Sequence, residues 1–248
     1  MNKKPLLVFD DVLRTYKSEY HGRKAFESYM SWFPLIVSPC LAGIVADLMC
    51  DGHLQGKKWR FDYTSNSIEE LERFNRTIHS LFKVKGKVRK CTTNKYETFN
   101  LGVNNSPLAR VLKLLEVPAG AKVLSSFSIP DWILADKTLF GRFINRLVSC
   151  EGSVDVKNKC IDIRMSKSED LIVDGLSFFK DIQNYLWNYF EIKTTNPFLD
   201  RSFNLRKDGI KTKTIRLKIK RKESLITFNK FIGIDDKIKN KKLKRIIG

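Results

Sequence analysis

The sequence predicts an α+β fold of two pseudo-symmetric αββαββα halves, and three observations carry that expectation. First, an apolar stretch ending in an acid and a glycine occurs twice, A-G-I-V-A-D-L-M-C-D-G over residues 42–52 and R-F-I-N-R-L-V-S-C-E-G over 142–152. Asp51 and Glu151 lie 100 residues apart, each after a cysteine (Cys50, Cys150) and before a glycine. Second, the same order of strand-like and helix-like runs follows each copy, which marks an internal repeat. Third, the strand-like runs alternate apolar and polar residues, the pattern of antiparallel sheets with one buried face.

Taken in order, each apolar stretch reads as a helix. After Gly52 come a short strand from His53 to Gln55, a Gly-Lys-Lys turn and a strand from Trp59 to Tyr63. Ser65-Asn66-Ser67 then opens an amphipathic helix, Ile68 to Phe82. After Gly152 come Ser153 to Val156, a Lys-Asn-Lys turn and a strand from Cys160 to Met165. Ser166-Lys167-Ser168 opens the matching helix, Leu171 to Tyr189. Serine before a helix with acids in its first turn is sound N-terminal capping chemistry. Each half closes with two more strands and a helix. In the first these are Lys85 to Cys91, Tyr96 to Val103 and Pro107 to Val117; in the second, Glu191 to Asn196, Thr212 to Lys220 and Glu223 to Ile232.

Pro118, Gly120 and Pro130 make the stretch between the halves, Val117 to Ile133, a connection. The expected organisation is an extension over 1–35, a first half over 36–117, a linker over 118–136, a second half over 137–235 and a basic tail over 236–248. That tail carries Lys237, Lys239, Lys241, Lys242, Lys244 and Arg245. It reads equally as solvated or as contacting phosphates.

Composition narrows the function. The 248 residues are 42% hydrophobic, enough for a core, which excludes a wholly disordered chain. Lys plus Arg number 46 against 27 Asp plus Glu, a net charge of +19, so a polyanion is the expected partner. Nucleic acid comes first and a membrane surface second. No apolar run reaches the roughly 20 residues of a membrane span. The longest, Phe33 to Met49, is broken by Pro34, Pro39 and Asp47. The start of the chain, Met1 to Phe9, resembles a signal n-region, but Asp10 and Asp11 end its apolar stretch. Five cysteines, at 40, 50, 91, 150 and 160, form no C-x-x-C pair. They read as free thiols in a reducing cytoplasm or organellar interior, not as disulfides or a zinc site.

Two helices ending in carboxylates suggest a shared task. Packed side by side, they would bring Asp51 and Glu151 together, with Ala46 and Cys50 on one seam and Arg146 and Cys150 in the equivalent places. Like charges at the carbonyl ends of helices are unfavourable, and a divalent metal relieves both problems. Hard oxygen ligands and a phosphate substrate point to Mg²⁺ and to two-metal phosphodiester hydrolysis.

This pattern resembles the LAGLIDADG homing endonucleases in their single-chain form with two motifs. Leu41-Ala42-Gly43 matches the family's letters but lies ten residues before Asp51. Registered from the acids, the motifs are Ile44 to Gly52 and Ile144 to Gly152. The linker's V-P-x-G-x-K and F-S-I-P-D-W-I runs also resemble single-chain members, and the likeness covers about residues 36 to 235. The resemblance implies motif helices packed at the centre and two sheets forming a saddle in the DNA major groove. It implies that Asp51 and Glu151 are catalytic metal ligands, joined by the backbone carbonyls of Cys50 and Cys150. Lys167 matches the family's basic residue after the motif. Asn66 holds the corresponding place in the first half without the charge, which implies unequal half-sites.

The alternation supports the saddle independently. Trp59, Phe61 and Tyr63 alternate with Lys58, Arg60 and Asp62, and Ile161, Ile163 and Met165 alternate with Asp162, Arg164 and Ser166. Ile215, Leu217 and Ile219 alternate with Arg216, Lys218 and Lys220. Period two places the polar set on one face. The expected DNA-contacting residues are His53, Gln55, Lys58, Arg60, Asp62, Lys87, Arg89, Thr98 and Asn100 in the first half. In the second they are Ser153, Asp155, Asp162, Arg164, Arg216, Lys218 and Lys220. Such side chains read base edges and phosphates.

The leading expectation is a monomeric, site-specific endonuclease for double-stranded DNA. It uses Mg²⁺, with Mn²⁺ substituting and Ca²⁺ supporting binding only. The alternative is an intron RNA maturase, with its own intron RNA as partner, or a DNA-binding regulator. A domain within an intein is disfavoured, because the chain starts with Met and ends Ile-Ile-Gly, without the nucleophile and terminal Asn of splicing. A membrane-surface role is weakest, since no helix sets its lysines beside a broad apolar face.

Overall fold

The computed structural model describes residues 5–91 and 97–248. The charged start of the chain, Met1–Lys4, and Tyr96 at the head of an expected strand lie outside the described residues. The chain divides into two compact units, the first ending at Gly120 and the second beginning at Ala121. The fold is α+β with antiparallel sheets, as expected.

The first unit opens with α1 (Phe9–Leu13), α2 (Glu19–Phe26) and a 3-10 turn (Glu27–Trp32). These extra residues are tied to the half that follows. Trp32 is buried, its indole Nε1 donates to the Phe82 carbonyl at 3.0 Å, and its ring meets Phe82 edge-on. The Tyr29 hydroxyl accepts from Asn105 Nδ2. The repeat proper then runs through α3 (Pro39–Cys50), β1 (Gly52–Gln55), β2 (Arg60–Ser65) and α4 (Ile68–Phe82). It closes with β3 (Lys87–Lys90), β4 (Phe99–Val103) and α5 (Ser106–Leu114).

Local chemistry explains these boundaries. Ser38 accepts from the Leu41 N–H and Pro39 fills the first helical position, so α3 begins there. Leu41 through Cys50 are all buried, which fits a helix apolar on every side. Ser67 caps α4 through the Glu70 N–H. Leu71, Phe74, Ile78 and Phe82 form the buried stripe of α4, each worth about 1.5–3 kcal/mol of apolar burial. The helix ends where Lys83 turns into the left-handed region, φ 55°. The sheet order is β1-β2-β4-β3, all antiparallel.

The second unit repeats this plan. A linker with a 3-10 turn (Lys122–Leu124) leads to α6 (Asp131–Leu134), α7 (Lys137–Glu151), β5 (Gly152–Asp155) and β6 (Cys160–Ser168). A 3-10 turn (Glu169–Leu171) precedes α8 (Ile172–Phe190). Then follow β7 (Phe198–Leu199), β8 (Asn204–Leu205), β9 (Lys211–Ile219), α9 (Lys222–Phe231) and α10 (Lys237–Ile247). The sheet order β5-β6-β9-β7 matches the first unit, with β8 added beside β9. The β1–β2 and β5–β6 hairpins also match, for Trp59 (φ 46°) and Lys159 (φ 47°) both turn left-handed just before the returning strand. Trp59 is thereby removed from the strand and stacks on the Arg110 guanidinium, 4.0 Å from its ring centroid.

Three expectations about elements are corrected. Ser166-Lys167-Ser168 does not open a helix. Strand β6 runs through Ser168, paired to Thr212, and the helix starts only at Ile172. Glu191 to Asn196 is not a strand. Glu191 is left-handed (φ 55°), and the segment meets β9 by one backbone bond, Thr195 N–H to the Lys218 carbonyl. The Thr195 hydroxyl oxygen accepts the return bond from the Lys218 N–H, so a side chain replaces the ladder. The basic C-terminal run is the helix α10, with Asp236 capping it through the Lys239 N–H and Leu243 buried.

Candidate nucleic-acid interface and the motif acids

Both motif acids stand where a helix gives way to a strand, and the following glycine explains why. A Cβ on Gly52 would lie 2.6 Å from Leu48 Cα, and one on Gly152 would lie 2.6 Å from the Val148 carbonyl oxygen. The chain therefore doubles back against the last helical turn, which only glycine permits in both halves. Asp51 caps α3, its N–H donating to the Asp47 carbonyl, and Thr64 N–H donates to the Asp51 carbonyl. Glu151 is the last residue of α7. Both acids are exposed, Cys50 is buried and Cys150 is half-buried. An exposed carboxylate beside helix carbonyls is a hard-oxygen donor set that suits a divalent cation.

In the first unit the register assembles most of the expected contacts on one sheet face. His53 lies opposite Asp62, Asp62 opposite Gly102 and Gly102 opposite Lys87. Thr64, Asn100 and Arg89 form a second row, with Asn100 Nδ2 donating to the Thr64 hydroxyl at 3.3 Å. Gln55 bridges the end of the sheet, donating to Asp62 at 3.0 Å and accepting from Arg60 Nε at 2.8 Å. Phe61, Tyr63 and Leu101 fill the opposite, buried face. Lys58 stands exposed in the hairpin turn. Two expected residues are elsewhere. Asn66 is exposed in the turn before α4, and Thr98 precedes β4, its carbonyl accepting from the Cys91 N–H.

The second unit's face has the same rows and a different interior. Ser153, Asp162 and Lys218 are opposite one another, as are Arg164, Arg216 and Phe198, and Ser166 with Thr214. Asp162 is 2% exposed, so it is not the surface acceptor the sequence suggested. Its carboxylate accepts from Arg164 at 2.9 Å and from Arg216, with Lys218 Nζ 3.8 Å away. Arg216 also reaches Asp200 at 2.9 Å, and these hydrogen bonds raise its pKa further above the ordinary arginine value. What this face offers outward is therefore cationic. Asp155 is engaged in its own turn, accepting from the Asn158 N–H at 2.9 Å; the bonds from Asn158 hold its pKa below the usual carboxylate value. Lys220 is exposed just beyond β9.

Lys167 is displaced from its expected role by strand parity. Because β6 continues past Met165, Lys167 shares the buried face with Ile161 and Ile163. It is 0% exposed. Its ammonium donates to the linker carbonyls of Lys122 (3.0 Å) and Ser125 (2.6 Å) and lies over the Phe127 ring. Burial lowers its pKa to about 8, against a smaller opposing pull from Asp174. Lys167 thus fastens the linker to the second sheet and does not face solvent.

Sequence reasoning missed the partners of two buried charges and of one half-buried cation. Asp47 is wholly buried in α3 and pairs with Arg73 at 2.6 Å. Arg73 also holds Glu70 at 2.7 Å, and Glu70 accepts from the Tyr63 hydroxyl. Arg146, 0% exposed, pairs with Asp235 at 3.2 Å, as does Arg142 at 2.8 Å. Burial pushes the Asp235 pKa up, but the two arginines outweigh it and hold it below the ordinary value. The third is Lys239 of α10. Its ammonium donates to the carbonyls of Val148 (3.3 Å), Ser149 (2.5 Å) and Cys150 (3.1 Å) at the end of α7. An acid or arginine inside an apolar helix was the available signal; Lys239 gave none.

No family model and no curated protein matches the sequence. Solved structures do. A structure of mesophilic variants of the homing endonuclease I-DmoI aligns at 16% identity and TM-score 0.52, over 79% of this chain and 95% of that one. The N-terminal LAGLIDADG domain of DUF199/WhiA aligns at 15% identity and TM-score 0.51, over 84% and 86%. Full-length DUF199/WhiA from Thermatoga maritima aligns at 15% identity and TM-score 0.50, and this chain spans 59% of its length. At these identities the likeness concerns architecture, and what it establishes is that the chain has the LAGLIDADG fold.

Proposed function

We propose that this protein is a site-specific endonuclease that hydrolyses phosphodiester bonds in double-stranded DNA with a divalent metal. The observation that carries the reading is the repeated ending of α3 and α7. In both, an exposed acid stands at the helix terminus, and a close-packed glycine leads straight into a sheet with a charged outer face. Asp51 and Glu151 are the residues that would hold the metal. When bound, Mg²⁺ would lower the pKa of a water and neutralise phosphate charge. Mn²⁺ is expected to substitute, and Ca²⁺ to support binding alone.

Binding rests on the cations of both faces. Lys58, Arg60, Lys87 and Arg89 serve one sheet and Arg164, Lys218 and Lys220 the other, neutralising phosphates and reading base edges, with Arg216 holding Asp162 and Asp200 beneath them. One chain carries both motifs, so a monomer would suffice. The test uses the DNA flanking the reading frame, joined as an uninterrupted allele. Purified protein with Mg²⁺ should make one double-strand cut at the junction, abolished by EDTA.

A second reading is a nucleic-acid-binding protein without cleavage, such as a regulator or a maturase. The engagement of the Cys150 carbonyl by Lys239 favours it. Salt-sensitive binding of the junction or of the intron RNA, with no cut, is its expected outcome.

A further inference from the structure

At the second motif another cation already engages part of the donor set expected of a divalent ion. The resemblance assigns a metal to Glu151 together with the Cys150 carbonyl. In the structure that carbonyl and those of Val148 and Ser149 receive the three-donor ammonium of Lys239. These are the last carbonyls of α7, the negative end of its dipole. A positive charge there meets the need that a metal would otherwise meet. A divalent ion sharing the Cys150 oxygen would sit within a few ångströms of the ammonium, and the two cations would repel.

The surrounding residues hold Lys239 in place. Asp236 caps α10 through the Lys239 N–H at 2.7 Å. Next to it, the Asp235 N–H donates to the Ser149 hydroxyl at 3.0 Å, and the Asp235 carboxylate pairs with Arg142 and buried Arg146 of α7. Leu243, one turn beyond Lys239, is buried. Asp235 and the first turn of α10 are thus bonded to α7 at Arg142, Arg146, Val148, Ser149 and Cys150, which fixes the position of the ammonium.

We propose that Lys239 is a tethered cation that competes with a divalent ion for the second motif, making it the weaker metal site of the two. The inference rests on reading the motif acids as metal ligands. It also supplies an asymmetry between the half-sites that does not depend on Lys167. Lys239 is a positioning residue: it acts through the end of α7 and would touch no substrate atom.

The probe is Mn²⁺ alone, titrated into the full chain and followed by the loss of the free-ion electron paramagnetic resonance signal. Lys239→Met removes the charge, and Lys239→Gln removes it while keeping an N–H donor for the carbonyls. In both, the Mn²⁺ affinity that Glu151→Gln abolishes should strengthen by roughly tenfold or more, the scale of removing one close like charge. A merely structural lysine would, on removal, weaken that site or leave it alone. Unchanged or weaker Glu151-dependent affinity in both variants, with Asp51-dependent binding intact, overturns the inference and leaves the endonuclease reading standing. Titrations insensitive to both Asp51→Asn and Glu151→Gln would overturn the metal-ligand reading, and the inference with it.

Discussion

The Asp47 carboxylate, wholly enclosed in the first motif helix, lies 2.6 Å from the Arg73 guanidinium. The pair sits beneath the turn that presents Asp51, so it couples α4 to the base of the candidate site. Removing one partner of a buried pair leaves the other charge uncompensated, which costs about 3–5 kcal/mol. Asp47→Ala is expected near the low end, because Arg73 keeps Glu70. Arg73→Ala is expected to cost more. The double variant should lose less than the sum of the two in urea unfolding, and additive losses would show that the pair is not coupled.

Gly52→Ala and Gly152→Ala test the close approach of helix and strand. Each new methyl meets backbone atoms of the residue four positions earlier, within 2.6 Å. Backbone cannot step aside as a side chain can, so each substitution should destabilise by about 1–3 kcal/mol. Trimming the neighbour with Leu48→Ala should not rescue Gly52→Ala. Thermal unfolding of the three variants decides this, and full rescue would mean that the side chain alone sets the limit.

Lys167 gives a pH dependence with a definite sign. Its pKa is about 8 in the folded chain and 10.5 when exposed. Between these values the unfolded chain binds the extra proton, so stability contributed through this residue should rise with pH across that window. Below about pH 8 both states are protonated and the slope should vanish. The difference in stability between the parent and Lys167→Met, measured by urea unfolding at several pH values, isolates this group. A difference that stays constant from pH 7 to 10.5 would contradict the buried ammonium.

How much of this was legible in the sequence depends on the kind of signal. The duplicated helix–strand order was legible, because hydrophobic period and terminal glycine recur at a fixed spacing, and the α4 boundaries followed from Ser67 and its amphipathic stripe. Lys167 was misread because β6 exceeds its apolar run by three residues, and side-chain direction depends on that length. Glu191 to Asn196 was misread because its Thr195 hydroxyl replaces a ladder bond, a choice composition does not encode. The roles of Asp47, Arg146 and Lys239 depend on partners far away in the chain. Lys239 is 89 residues from Cys150, and nothing local marks it.

The cations of the second sheet should differ in what they do for binding. Arg164 is exposed and Arg216 is shared between Asp162 and Asp200. Arg164→Ala should lower the slope of log affinity against log salt by about 1, the mark of one lost phosphate contact. Arg216→Ala should chiefly destabilise the unit, leaving buried Asp162 with fewer donors. Binding isotherms at several salt concentrations, beside unfolding curves, separate the two. Equal salt slopes for parent and Arg164→Ala would remove this face from the DNA contact.

The most direct test of the central claim compares cutting and binding of the junction DNA by the parent, Asp51→Asn and Glu151→Gln. The expected result is that the parent cuts both strands in Mg²⁺, each variant loses double-strand cleavage, and all three bind in Ca²⁺ with similar affinity. Loss of binding together with cleavage would make the acids structural, and cleavage surviving in both variants would contradict their role as the reacting carboxylates.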